Sequence, residues 1–549
     1  MSVPTPHGGA QPPIIWSIAG HDSSGGAGLS ADQRAADALG VHLCPVVASI
    51  TAQHSQGVQA VYPVPVEQLE AQLQALADDL PPAAIKTGLL RDARLVHTVA
   101  HWVDRLRQRH PQLALIIDPV LGASAGGAAF ADEAVLQAYQ RELLPRATVL
   151  TPNRAEARKL LGQPASHAGP DDDIPSLAAQ LRGMGAQGVV ITGGDAAASG
   201  WSLDWIDLPH AQGWLCAPRV DTPHHHGSGC TFASALAAAM ALGHVSADAT
   251  VLAKMVTHQA LCNGHGAGHG AGPVKAGRTP ALGPLPWLGL HGALPWRLQH
   301  VDAGPHSLFK AFEPPEDGLY GILPTGTMLA AAAQAGMACL QLRHKARDGV
   351  EPHIDMAARA CATQGSTLFI NDHWQLALST LSGAVADGLK LGLHLGQEDL
   401  LALDEAGIAQ LLSQRHRILL GLSSHSLWEL ARAAGCGASL IACGPVLPTT
   451  TKDMPWQPQG QDNLRWWVTH SPAPVVGIGG LLTPSDIARA AACAPAAVCV
   501  VRALGQTPEG VADALPALQD AVRCGRSQTR ALAEFPGKAT MDALPHPVL

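Results

Sequence analysis

Apolar runs alternate with helix-spaced segments along most of this chain. From Ile14 to about Ala276, the runs IIWSIAG, CPVVASI, AAIKTGLL, LALIIDPV, ATVLTPN and GVVITGG predict buried strands. Segments between them, such as Val66–Leu80 and Leu95–Arg109, carry helical periodicity. That alternation predicts an α/β domain with a mainly parallel sheet covered by helices on both faces. Ligands in such sheets gather at the carboxyl ends of the strands. A Pro/Gly-rich stretch follows, and then strand and helix alternate about eight more times through GLYGIL, ACLQLR, STLFIN, LGLHLG, RILLGLS, SLIACG, PVVGIG and AVCVV. The second pattern predicts a closed (β/α)8 barrel, with a flavodoxin-like sheet as the rival. The expected organisation is residues 12–276, a linker over 277–315 that partly packs down on Trp287 and Trp296, and residues 316–525.

Composition narrows the class. Hydrophobic residues make up 47% of the 549 and aromatics 4%, so Ala, Leu and Val must build most of the core. A disordered chain is excluded, since there is ample apolar surface to offset chain entropy. The net charge is -9 with no long Lys or Arg run, so no phosphate-tracking nucleic-acid surface is expected. The longest uncharged stretch, Thr222 to Ala247, holds histidines and glycines and makes a poor membrane span. The first residues lack a basic start and an apolar block, and the 11 cysteines follow no zinc spacing. Together these predict a cytoplasmic protein with reduced thiols. Homo-oligomer formation is left open.

The first block carries a glycine loop, His226-Gly-Ser-Gly-Cys-Thr231, before the Ala/Leu helix FASALAAAMAL. Free backbone N–H groups at such a helix start suit a migrating phosphoryl group. Cys230 sits where a thiolate is favoured. Asn153-Arg-Ala-Glu156 follows a strand and could hold hydrated Mg2+ and its phosphates. Asp118 ends another strand, as does Thr192-Gly-Gly-Asp195, where Gly193 and Gly194 would let a nucleotide approach. Gly20 opens GHDSSGGAG, a loop lacking the Gly-Lys-Ser/Thr ending of a Walker motif. Metal binding by His224-His-His226 is disfavoured, because consecutive side chains point apart.

In order, IAGHDSSGGAGLSAD, VVASITAQHSQGV, IKTGLL, DPV, LTPNRAEA, VVITGGD, HHHGSGCT and GAGHGAGPV resemble the bacterial hydroxymethylpyrimidine/phosphomethylpyrimidine kinases of the ribokinase-like superfamily, over roughly residues 12–275. The resemblance implies a ribokinase-like three-layer α/β/α fold and ATP as phosphoryl donor. It implies that Asp32 and Gln53 contact the aminopyrimidine. Lys86 and Gly88 would lie near the reacting group, and the Gly227, Gly229 and Cys230 amides would form an anion hole. Cys230 would replace the aspartate base of related sugar kinases. Taken alone, Asp32 reads equally as an exposed helix carboxylate and Gln53 as a loop amide.

In the second block, Gln341, Arg343 and Lys345 alternate at a strand end, which suits a polyphosphate. Asn371-Asp372 ends the next strand, and Asp399 follows the one after. Two acids from neighbouring strand ends can share one Mg2+. The set QLRHK, FINDH, HLGQEDL, GLSSH, GPVLPTTTK and VVGIGG resembles thiamine phosphate synthases over about residues 318–505. That resemblance implies a TIM barrel in which Gln341, Arg343, Lys345, Asn371 and Lys452 hold the pyrimidine diphosphate. Asp372 and Asp399 would bind Mg2+, and Ser423 would meet the pyrophosphate. Thr449, Thr451 and Gly479 would contact thiazole phosphate or pyrophosphate. ADGLKLGLHLG allows two strand registers, and Arg502 could bind phosphate or point away.

The two resemblances connect chemically, since the kinase's product is the synthase's substrate. The expected partners are small molecules: ATP, the aminopyrimidine and thiazole phosphate. A pyridoxal kinase in the first block and a regulatory binding protein with idle sites are the alternatives.

Overall fold

A computed structural model describes residues 11–122, 130–163, 174–194, 200–277, 282–300, 308–346, 348–381, 388–449 and 457–529. The chain divides between Pro284 and Leu285 into two compact units. None of the helices among the described residues is long and apolar enough to cross a membrane.

The first unit is built on strands β1 (Ile14–Asp22), β2 (His42–His54), β3 (Gly57–Pro63), β4 (Ala84–Thr87), β5 (Ala114–Ile117), β6 (Val149–Leu150), β7 (Val189–Ile191), β8 (Trp201–Asp207) and β9 (Gln212–Pro218). They lie in the order β9-β8-β7-β6-β5-β4-β1-β2-β3. The central strands are parallel, and every residue of β4 and β5 is buried. Burial on both faces requires a helical layer on each side. The helix Ser228–Ala241 packs on both Gly28–Ala38 and Ser246–Cys262, and Gly28–Ala38 and Ser228–Ala241 also pack against the central strands. Two features depart from a simple parallel reading. The pair β2/β3 is an antiparallel hairpin, and β8 and β9 add antiparallel strands at the other end of the sheet. β1 is flanked by β2 on one side and β4 on the other. The chain therefore reverses direction across the sheet at β1, which opens a crevice at the carboxyl ends of β1 and β4.

The second unit opens with β10 (Trp287–Leu288) and continues into a closed barrel of β11 (Leu319–Leu323), β12 (Cys339–Leu342), β13 (Thr367–Asn371), β14 (Lys390–Leu395), β15 (Leu419–Ser424), β16 (Leu440–Cys443), β17 (Val475–Gly477) and β18 (Ala497–Val500). β18 pairs with β11 and closes the ring, so the flavodoxin-like alternative does not apply. Much of the stretch read as linker packs into this unit. Trp296, Leu308, Phe309 and Phe312 are buried, and the Arg297 guanidinium stacks on Trp287 at 4.3 Å. Phe312 joins Tyr320, Phe369, Leu419, Leu440 and Ala497 in one apolar cluster. The last three begin their strands, so Phe312 packs toward the amino-terminal end of the barrel. The opposite end is left for polar residues, as in barrels of this kind. The β14 register is settled by pairing of Asn371 with His394.

Candidate active sites

In the first unit, one cavity lies over the β1/β4 crevice. It is lined by Gly20, Gln53, Lys86, Gly88, Asp118, Asn153, Glu156, Thr192, Gly227, Gly229 and Cys230, together with Asp22, Thr51, Phe130 and His226. Gly227 caps the helix Ser228–Ala241 with φ +83°. A Cβ there would lie 2.3 Å from the Gly26 carbonyl oxygen, so only glycine lets the two loops meet. The helix therefore starts with its unpaired amides directed into the cavity.

Lys86 lies at the floor. Its Nζ is 3.0 Å from Asp32 Oδ1 and 3.6 Å from Asp118 Oδ2. Burial opposes its charge, but the Asp32 and Asp118 carboxylates outweigh that and raise its pKa, so it is a cation. Asp118 is pushed upward by its burial, against the pull of Lys86. Its Oδ2 is buried without a hydrogen-bond partner. This unsatisfied buried acceptor is open to a proton donated by a ligand.

Asp32 corrects an expectation. It does not line the cavity. It is fully buried, accepting from Lys86 (3.0 and 3.1 Å), Ser17 Oγ (2.6 Å) and Ser234 Oγ (2.8 Å). With both oxygens occupied it anchors Lys86 rather than meeting an aminopyrimidine. Cys230 corrects a second one. Burial pushes its thiol up to about 12, which outweighs Lys86 and the helix start, so the resting group is a thiol and no thiolate. Asn153 and Glu156 bond each other in a capping box for the helix Arg154–Leu160, while both still face the cavity. Thr192 lines the cavity, whereas Gly194 is exposed outside it and Asp195 lies outside the described residues.

Sequence reasoning missed three contributors. Asp22 accepts from the Ser24 and Ala27 amides at 2.8 Å each, an Asx-turn that its Asp-Ser-Ser context could have signalled. Burial works against the Asp22 charge, yet its bonds to His226 and the loop hold it well below the usual carboxylate range. His226 Nε2 lies 3.0 Å from Asp22 Oδ2 and 3.2 Å from Gln53 Nε2, tying the glycine loop to the first loop and to the hairpin strand β2. Buried Tyr139 donates to the Gly88 carbonyl at 3.2 Å.

In the barrel, the polar residues stand at the carboxyl ends of the strands. Arg343 and exposed Lys345 follow β12, Asn371 ends β13 and Asp372 follows it. Asp399 sits on the helix Gln397–Leu401 after β14, and Ser423 lies near the end of β15. Partial burial, and then the charge and hydrogen bond of adjacent Asp399, push the Asp372 carboxyl up to about 6, while Arg343 pulls it down. Two carboxyls this close together offer oxygen donors to a hard cation. Among the described residues no larger group of His, Cys, Asp and Glu is placed for a metal. The pair fits Mg2+, which keeps waters and substrate oxygens on its remaining positions.

Gln341 is buried below this mouth. It accepts from Tyr320 Oη and donates to Asn371 Oδ1, both at 2.7 Å. Gly479 has φ +97° and would place a Cβ 2.7 Å from Pro445, while its carbonyl accepts from the Leu447 amide at 3.0 Å. That contact brings the loops carrying Gly479 and Thr449 together. Thr451 and Lys452 lie outside the described residues. Arg502 is exposed on a short turn after β18. The residue missed here is His394. It is buried, its pKa falls to about 4 because of that burial, and its Nε2 lies 2.9 Å from Ser423 Oγ.

Comparison with known proteins agrees with this two-site layout. A family model described as phosphomethylpyrimidine kinase matches residues 22–275, and one described as thiamine monophosphate synthase matches residues 324–504. The chain is similar to the probable thiamine biosynthetic bifunctional enzyme, chloroplastic, of Oryza sativa subsp. japonica, with 31% identity over 484 residues covering 85% of this chain and 81% of that one. It is 29% identical over 481 residues to a thiamine biosynthetic bifunctional enzyme of Arabidopsis thaliana, covering 85% of each. It is also 38% identical over 277 residues to the hydroxymethylpyrimidine/phosphomethylpyrimidine kinase of Streptomyces coelicolor, covering 50% of this chain and 98% of that one. The chain thus belongs to the family of bifunctional thiamine biosynthetic enzymes, a hydroxymethylpyrimidine/phosphomethylpyrimidine kinase followed by a thiamine phosphate synthase.

Proposed function

We propose that the cavity over β1 and β4 phosphorylates the aminopyrimidine alcohol and then its monophosphate with ATP, and that the barrel mouth joins the diphosphate to thiazole phosphate. The kinase domain is read as residues 12–276 and the synthase domain as 316–525. Convergence of Lys86, Asp118 and the Gly227–Cys230 helix start in one cavity supports the first assignment.

In the kinase, the transferring phosphoryl group would sit on the Gly227, Gly229 and Cys230 amides, with Lys86 on its far side. Phosphoryl transfer passes through a loose transition state, so charge stabilisation and positioning carry most of the rate. The Cys230 thiol holds its proton at rest, so its amide rather than its sulfur does this work. Asp118 is the acceptor best placed for the alcohol proton. Asn153, Glu156 and Thr192 line the same cavity and would face the ATP phosphates and their Mg2+. Gln53, held by His226, would contact the pyrimidine ring.

In the synthase, Arg343, Lys345 and Ser423 would grip the pyrophosphate as it leaves, with Lys452 and Thr451 read as further contacts. Asp372 and Asp399 would hold Mg2+, which neutralises the departing charge. Gln341 and Asn371 would set the edge against which the aminopyrimidine lies. Thr449 and Gly479 would hold the thiazole phosphate close enough for its nitrogen to attack the delocalised pyrimidine cation. We place the protein in a reducing, cytoplasmic setting, because its scattered cysteines follow neither a disulfide framework nor a zinc spacing in sequence.

The full chain with ATP, Mg2+, hydroxymethylpyrimidine and thiazole phosphate should release thiamine phosphate and pyrophosphate. Binding of these compounds without turnover in either half-reaction would instead identify a regulatory protein.

A further inference from the structure

Buried charge in the barrel points to a device the reaction scheme leaves unused. Arg432, on the helix Leu427–Gly435, is 5% exposed, and Gln397, first residue of the Asp399 helix, is 8% exposed. Arg432 Nη1 donates to Gln397 Oε1 at 2.9 Å. Gln397 Nε2 donates to the Ser423 carbonyl at 2.7 Å and reaches Ser424 Oγ at 3.4 Å. A guanidinium can only donate, so it fixes which end of the amide is the carbonyl and leaves the Nε2 end for Ser423. Burial lowers the Arg432 pKa, and Glu429 counters it. Glu429 in turn accepts from the His425 amide at 2.6 Å and from its ring at 2.9 Å. The Asp399 helix has five residues, too few to hold its own position by backbone bonds.

We propose that Gln397 is a positioning residue of the synthase. It fastens the short helix carrying Asp399 to the strand end carrying Ser423, so that a metal-binding carboxylate and a pyrophosphate-binding hydroxyl keep one separation. Arg432 orients the amide from behind. His394 completes the arrangement by holding the Ser423 hydroxyl itself, and the Gly396 amide holds Asp399 Oδ2 at 3.1 Å. The inference rests on the roles given to Asp399 and Ser423 above.

The test uses the full chain carrying Gln397→Met, and the double variant Gln397→Met/Arg432→Met. The readouts are amide hydrogen exchange over residues 396–401 in metal-free buffer, the Mg2+ concentration for half-maximal synthase rate, and kinase activity as an internal control. Gln397→Met should speed exchange in that helix roughly tenfold. It should also raise the half-saturating Mg2+ about tenfold, as loss of a residue orienting a metal ligand does. Kinase activity should not change. The double variant removes the stranded buried cation and should recover the melting temperature while exchange and Mg2+ demand stay shifted. Wild-type exchange and Mg2+ demand in Gln397→Met, or their full recovery in the double variant, would overturn the proposal. Full synthase activity in Asp399→Asn would instead overturn the assignment on which it rests.

Discussion

Lys86 and Asp32 form an ion pair at 3.0 Å in which both side chains are wholly buried. The pair explains how a cation survives at the floor of an apolar sheet. Asp32 supplies the counter-charge, and Ser17 and Ser234 satisfy what remains of Asp32. Lys86 is left facing Asp118 and the cavity. Asp32→Asn should strand this cation, costing about 3 kcal/mol of kinase-unit stability. Urea unfolding measures the loss. Kinase turnover should fall while synthase turnover from supplied diphosphate stays at the wild-type value.

Gly227 and Gly229 should respond differently to alanine. Gly227 has φ +83° and a carbonyl oxygen 2.3 Å from the added Cβ, whereas nothing lies within 4 Å of a Cβ at Gly229. Gly227→Ala should therefore lower the melting temperature and cut kinase activity by about 100-fold or more, as loss of anion-hole donors does. Gly229→Ala should leave the melting temperature unchanged and impair only phosphoryl transfer, where the substrate fills that open space.

Cys230 is a half-buried thiol on the cavity wall, and desolvation there pushes its pKa up to about 12. A thiol reagent at pH 8 should modify exposed Cys262 and Cys524 first and leave Cys230 intact. Cys230→Ser keeps the backbone amide and should lose less than about 100-fold in kinase rate, the lower end of what a general base supplies. A larger loss, with a rate that climbs through pH 8–9 in the wild type, would restore the thiolate to the mechanism.

Asp372 gives a pH dependence with a definite sign. Its folded carboxyl titrates near 6, above the 3.8 of an unfolded aspartate, through burial and then Asp399. The proton is thus bound more tightly in the folded, metal-free state. The associated stability is present below about pH 4 and is lost as pH rises through 6. In EDTA, wild-type melting should fall relative to Asp372→Asn between pH 5 and 7. Mg2+ must displace this proton, so synthase activity at limiting Mg2+ should rise over the same interval.

Much of this organisation is legible in the order of residues. Both architectures follow from apolar runs spaced by helices. Asp118, Arg343, Asp372 and Asp399 stand after the strands that strand-end reasoning names, Gly227 caps the helix its glycine loop predicts, and Lys86 follows only from the family resemblance. Antiparallel β8 and β9 escaped that reasoning because they lie at one end of an otherwise parallel pattern. Asp32 misled it because helix spacing cannot tell a carboxylate facing a ligand from one facing a buried lysine. Cys230 misled it because the helix start argues for a thiolate, and only burial, invisible in sequence, reverses the sign. His226 and His394 matter through partners 204 and 29 residues away in the chain. Such distant pairings exist only once the sheet and the barrel have closed.

The central claim is that two separate side-chain sets run the two reactions, and complementation tests it directly. Lys86→Met should lose the kinase steps and keep the synthase, and Asp399→Asn should do the reverse. Each variant alone, given ATP, Mg2+, hydroxymethylpyrimidine and thiazole phosphate, should make almost no thiamine phosphate, and the mixture should make it readily. A mixture that stays silent although each variant keeps its own half-reaction, or a Lys86→Met protein that cannot use supplied diphosphate, would contradict the account.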